Sequence, residues 1–156
     1  MLFRSAYLAQ EQGKPKPLTA EQLRAFESYM NEIKIAGTIL SIKSLPADQL
    51  RLKARITIDP QEITSKGLRI SDGSRPLEEA LQTYLLGITY GGSCNKTRLV
   101  DALQAVAGVI DVELLSLEAA PHNVELKLIE GNNYTAHAGC FQAIDLANTF
   151  DYVVSI

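Results

Sequence analysis

Apolar and polar positions divide the chain into a helix, two alternating segments, two more helices and a second run of alternating segments. Thr19 and Gln22 have capping-box spacing, in which the hydroxyl accepts from the third helical amide and the glutamine side chain reaches back. Leu23, Phe26, Met30 and Ile33 then recur at helical spacing, with Glu21, Arg24, Glu27, Asn31 and Glu32 on other faces and Gly37 as the expected stop. From Thr38 the period becomes two. Thr38, Leu40 and Ile42 alternate with Ile39, Ser41 and Lys43, and Leu45-Pro46-Ala47-Asp48 reads as a turn. Leu50, Leu52, Ala54, Ile56 and Ile58 then alternate with Arg51, Lys53, Arg55, Thr57 and Asp59, one apolar face against one cationic face. Together the two segments predict an antiparallel hairpin.

Asp59 to Arg75 holds Pro60, Gly67 and Gly73 and reads as a long surface excursion. Pro76 can open a helix without losing a needed N–H, and Glu78 and Glu79 suit its first turn. Leu77, Leu81, Tyr84 and Leu85 form its stripe, and Gly87 ends it. Asn95 can cap a further helix with the stripe Leu99, Ala102, Leu103 and Val106, stopped by Gly108. Ile110, Val112 and Leu114 next alternate with Asp111, Glu113 and Leu115. Val124, Leu126 and Leu128 alternate with Glu125, Lys127 and Ile129, and Ala119 to Asn123 joins the two as a hairpin loop. Gly131-Asn132-Asn133 is a turn, and Tyr152 to Ser155 a last short strand. The expected fold is α+β: hairpin, two helices, hairpin, with the helices on one face of an antiparallel or mixed sheet.

An N-terminal arm and linker, residues 1–17, precede a single domain over residues 18–156. Gly13-Lys-Pro-Lys-Pro17 is the linker, since each proline pushes the residue before it out of the helical region. Leu2 to Glu11 before it reads as a short helix too poor in apolar residues to stand alone, which suggests a longer N-terminal region.

Composition narrows the function classes. The 156 residues are 46% apolar and 21% charged, the balance of a folding chain. A net charge of −3 without any dense Lys/Arg cluster argues against nucleic-acid binding. No apolar run approaches the roughly 20 residues that span a bilayer. Cys94 and Cys140 read as reduced, packed thiols in a cytoplasmic protein, with a disulfide as the alternative if the two positions converge in space.

Candidate chemistry is sparse. His122 and His137 stand in no metal-ligand spacing, and there is no Cys-x2-Cys. Gly91-Gly92-Ser93-Cys94-Asn95-Lys96-Thr97 ends in Lys-Thr before a helix, but a phosphate loop needs glycines where Asn95 and Tyr90 stand. The enzyme alternative joins Gly91-Gly92-Ser93 with Asp111 and Glu113. Two carboxylates at i and i+2 on a strand share a face and could hold a divalent metal, an arrangement that resembles minimal nucleotidyltransferases. The spacing from Ser93 to Asp111 is longer than in that motif, and no third carboxylate strand follows. No catalytic, cofactor-binding or metal-binding residue is assigned, and the chain is read as a non-enzyme.

A set of ordered motifs resembles the C-terminal half of baseplate J-like proteins of contractile phage tails. They are Leu45-Pro46-Ala47-Asp48-Gln49-Leu50, the strand ending Ile58-Asp59-Pro60, and Pro76-Leu77-Glu78-Glu79-Ala80 with Tyr84-Leu85-Leu86-Gly87. Tyr90-Gly91-Gly92 follows, then Leu99 to Leu103 leading into Val106-Ala107-Gly108-Val109-Ile110-Asp111-Val112. The stretch Tyr134 to Cys140 is similar to an Ala-Gly-aromatic ending of Bacteroidetes prophage members, with Cys140 where an aromatic is expected. The resemblance implies a wedge-like structural role, with no catalytic residue carried over. Its partners would be other tail or baseplate proteins or further copies of this chain, and it would be cytoplasmic until assembled into a virion or tail-like particle. The expected contact surfaces are the Asp59–Arg75 loop and the Gly131–Gly139 segment.

Overall fold

The computed structural model describes residues 9–11 and 14–156. Its elements, in chain order, are β1 (Ala9–Glu11), β2 (Lys14–Lys16), α1 (Ala20–Ile33), β3 (Asp48–Ile58), α2 (Pro76–Gly87) and β4 (Ser93–Asn95). They continue with α3 (Lys96–Gln104), β5 (Val109–Ala120), β6 (Lys127–Leu128), β7 (Asn133–Thr135), β8 (Phe141–Ala143), a 3-10 turn (Leu146–Asn148) and β9 (Phe150–Val154). The fold is α+β, three helices with a mixed sheet among the described residues.

β3 is the hub of the main sheet. β5 pairs antiparallel along nearly its whole length, from Gln49–Ala120 to Ile58–Val109. With that edge taken, β8 and β9 share the other, both parallel: β8 beside Asp48 to Leu50, β9 beside Ala54 to Ile58. The 3-10 turn carries the chain between them. β6 adds a short antiparallel pairing outside β5.

The period-two pattern of β3 holds throughout: Leu50, Leu52, Ala54, Ile56 and Ile58 are buried, while Lys53 and Arg55 are exposed. Against that apolar face pack Leu77, Leu81 and Leu85 of α2 and Leu99 and Leu103 of α3. Each helix starts where local chemistry allows. Pro76 lies in the first turn of α2, and the Asn95 side chain accepts from Arg98 N at 2.9 Å to cap α3. Gly108 links α3 to β5 with φ of +88°. A β-carbon there would lie 2.6 Å from the side chain of Glu62, so only glycine passes beneath the Asp59–Arg75 loop.

β5 departs from simple alternation. Lys53 pairs with Ser116 but Ala54 with Leu114, so Leu115 is an extra residue; Thr57 pairs with Asp111 but Ile58 with Val109, so Ile110 is another. Each bulge switches parity. The inward set is therefore Leu117, Leu114, Val112 and Val109, and the inward placement expected for Ile110 is corrected: it is 50% exposed.

Other expectations also change. The first hairpin does not form, because Thr38 to Ala47 lies in no strand and β3 takes its partners from far downstream. The second survives only as the short pairing of β5 with Lys127–Leu128. Ala9–Glu11, expected as helix, pairs antiparallel with Lys14–Lys16, and the linker prolines do not prevent it because Pro15 lies on an edge. The earlier part of that expected helix, residues 2–8, lies outside the described residues. α1 has its capping box, with Thr19 Oγ1 accepting from Gln22 N and Gln22 Oε1 from Thr19 N, but it ends at Ile33 rather than near Gly37.

Candidate functional site

The segment resembling a phosphate loop is occupied by the chain's own downstream turn. β4 pairs with β7, and Ser93 Oγ lies 2.6 Å from Thr135 Oγ1. Lys96 Nζ donates to the carbonyl of Ile129, Lys96 N donates to the carbonyl of Asn132 at 2.9 Å, and Thr97 Oγ1 accepts from Asn132 Nδ2 at 3.2 Å. The groups that would hold a phosphate instead hold residues 129–133. Tyr84 locks the same helix start, its hydroxyl donating to Asn95 O at 3.0 Å and accepting from Asn95 N at 3.1 Å.

Asp111 and Glu113 do share a face, as their spacing requires, but it is the face of the sheet turned away from α2 and α3. Ser93 adjoins the helix side, next to buried Cys94. The sheet thus separates the serine from the two carboxylates. Glu113 accepts from Arg55 Nη1 at 3.0 Å, and Arg55 also lies 3.7 Å from Asp151. Arg51 pairs with Glu118 at 2.5 Å, which lowers the Glu118 carboxyl below its ordinary range and raises the guanidinium. This face is a central cationic row between acidic side chains, a pattern of cross-strand pairing.

Asp48, read from sequence as a turn residue, is the most constrained polar group of the fold. It is fully buried, and its carboxylate accepts three hydrogen bonds at 2.9 Å: from Tyr134 Oη, His137 N and Ala138 N. Its own N–H donates to Cys140 O at 3.0 Å. A buried carboxylate is tolerable only with such donors. The arrangement ties the 134–140 loop to the start of β3 and leaves the carboxylate no open side for substrate. No sequence signal announces it, since two of the donors are backbone amides 89 and 90 residues away.

The remaining candidates are placed as follows. His122 is exposed in the loop after β5, and His137 serves Asp48 through its backbone while its ring faces solvent. Cys94 and Cys140 are free thiols. Burial pushes the Cys94 thiol up to about 11, with a Tyr84 hydrogen bond opposing, and burial also raises Cys140, next to Asp48. Both stay protonated at neutral pH, the opposite of an activated nucleophile. Among the described residues no group of three or more His, Cys, Asp or Glu could hold a metal, and no helix is long and apolar enough to cross a membrane.

Of the two loops expected to make contacts, Asp59–Arg75 is pinned by fully buried Ile63 and by Gly67, on which the Tyr152 ring rests. Gly131–Gly139 is likewise packed through Ala136, Ala138 and Gly139, with Asn132, Asn133, Thr135 and His137 exposed. The least satisfied surface is elsewhere, on α1 and the segment after it. No residue of α1 is buried. Phe26 and Met30 line a groove of about 270 Å³ together with Leu40, Ile42, Tyr90 and Ala136. Tyr29 is 58% exposed, Ile33 56%, Ile35 77% and Ile39 95%. Comparison of the chain with protein-family models, curated proteins and solved structures found no match in any of the three.

Proposed function

We propose that this chain acts by contact with other protein subunits, as a wedge-like structural component of a phage-tail or tail-like injection assembly. The observation that carries the contact role is α1: a capped, amphipathic helix of 14 residues without one buried side chain. A helix of that length is marginal in water by itself, and helices in proteins are held chiefly by packing an apolar face. With Tyr29, Ile33, Ile35 and Ile39 presented to solvent, the natural completion is a protein surface laid over them. The tail assignment rests on the ordered motifs from Leu45 to Val112. It is supported by carboxylates that are engaged in tethering or cross-strand pairing, Asp48 with the 134–140 segment and Glu113 with Arg55. In this reading the protein resides in the assembled particle.

The test is co-expression of the whole chain with the products of neighbouring genes, followed by co-purification. The expected result is a stable complex with at least one tail or baseplate protein, lost on introducing Tyr29→Glu with Ile33→Glu. A chain that co-purifies with none of them, or a complex indifferent to that double substitution, would overturn the proposal.

A further inference from the structure

The segment from Thr38 to Pro46 has the side-chain geometry of a β-strand without a ladder. Its burial alternates residue by residue: Thr38, Leu40, Ile42, Ser44 and Pro46 are half-buried, and Ile39, Ser41, Lys43 and Leu45 are exposed. Such alternation requires extended backbone lying with one side on the protein. Leu40 to Lys43 line the same groove as Phe26 and Met30 of α1, and of the four Leu40 and Ile42 are the half-buried ones. Yet from Ile39 to Lys43 no backbone N–H or C=O bonds to any described residue. A row of free donors and acceptors on extended chain is a template for another strand.

We infer that Ile39–Lys43 is the pairing strand of a homodimer, joined antiparallel to the same segment of a second copy about a two-fold axis at Ser41. The pattern is self-complementary in that register. Leu40 faces Ile42 of the second copy, and Ile42 faces its Leu40, so the apolar side stays continuous over both grooves. Ile39 falls opposite the aliphatic stem of the other Lys43, which can cover it while the ammonium stays in water. The two Lys43 ammonium groups stand at opposite ends of the ribbon, their backbones about 13 Å apart. The exposed apolar residues flanking the segment fit the same occupant. Together Tyr29, Ile33, Ile35 and Ile39 leave on the order of 500 Å² open, a large part of the roughly 800 Å² each member of a stable pair covers.

This deepens the contact role proposed above by naming one partner, and it is tested separately from it. Sedimentation velocity of the whole chain over a wide concentration range should give a dimer. In a Cys140→Ser background, Ser41→Cys should form an intermolecular disulfide under mild oxidation, because the two positions face each other. Lys43→Cys alone should not, whereas Lys43→Cys mixed with Ile39→Cys should. A chain that sediments as a monomer throughout overturns the pairing, and if that monomer still co-purifies with tail proteins the contact role stands without it. A dimer in which Ser41→Cys fails to cross-link, or in which Lys43→Cys alone cross-links as readily, overturns the register and the site.

Discussion

The hydroxyl of Tyr134 donates to Oδ2 of Asp48 at 2.9 Å, across 86 residues of chain. With the amides of His137 and Ala138 it makes the Asp48 carboxylate the fastening point of the loop before β8. Asp48→Ala strands all three donors and should cost about 3–5 kcal/mol. Tyr134→Phe removes one bond, leaves two amides on the carboxylate, and should cost about 1–2 kcal/mol. Urea unfolding of both variants checks the order, and equal losses would mean that the backbone amides contribute nothing.

The bulges in β5 make neighbouring leucines unequal. Leu117 is 1% exposed in the core, and Leu115, two residues earlier, is 49% exposed because it is the extra residue opposite Lys53 and Ala54. Leu117→Ala should destabilise by about 2–5 kcal/mol, as large-to-small core changes do. Leu115→Ser should stay within about 0.5 kcal/mol of the parent. Denaturant midpoints report both, and the reverse order would place the register one residue off.

Gly67 should not accept a side chain. Its φ is +75°, and a β-carbon would lie 2.3 Å from the Tyr152 ring. Gly67→Ala should cost upwards of about 2 kcal/mol, combining left-handed backbone strain with the clash. Adding Tyr152→Ala relieves only the clash, so the double variant should fall short of the summed losses by about 1 kcal/mol or more. A thermal-melt double-mutant cycle tests it, and strict additivity would show that ring and glycine do not touch.

Alkaline pH should unfold the protein by way of buried weak acids. Burial raises Cys94 from 9.0 to about 11, and it raises Tyr134 and Tyr152 from 10.0 to about 12; the Asp48 carboxylate adds to the Tyr134 effect. Each folded value lies above the unfolded one, so the unfolded chain releases these protons first. Their contribution is whole below about pH 9 and drains away as pH rises toward 12. For Cys94 the linked stability is about 2–3 kcal/mol. Unfolding free energies measured across that window should fall steadily, and Cys94→Ala should flatten the part between 9 and 11.

Features set by near neighbours in sequence were legible. The Thr19–Gln22 box, Pro76 at the start of α2, the Asn95 cap and the alternation of Leu50 to Ile58 each depend on chemistry within a few residues, and each stands where the pattern put it. Features set by a partner strand were not. The extra residues Leu115 and Ile110 exist only relative to β3, and β8 is too short to announce itself without it. β9, expected as a strand from Tyr152 to Ser155, runs from Phe150 to Val154, but its parallel pairing with β3 was not legible. Thr38 to Lys43 has a strand's alternation, which its half-buried and exposed side chains repeat, but alternation fixes sidedness and says nothing about what bonds the backbone. At Gly91–Thr97 the missing glycines already spoke against a phosphate loop, but what Lys96 and Thr97 bond instead was not legible, because their partners lie more than thirty residues away in the 129–133 turn.

Because β5, β8 and β9 all pair with β3 itself, the order of synthesis matters. A nascent chain can zip β5 onto β3 once residue 120 has emerged, but the opposite edge stays bare until residues 141–143 cover its start and residues 150–154 its remainder. During that interval the central strand, whose Leu50, Leu52, Ala54, Ile56 and Ile58 are all buried in the finished fold, displays an open backbone edge to every neighbouring ribosome product. Closure through such distant pairings is slow, so this chain should lean on chaperones during production and should misassemble first when the codons for β8 and β9 are delayed.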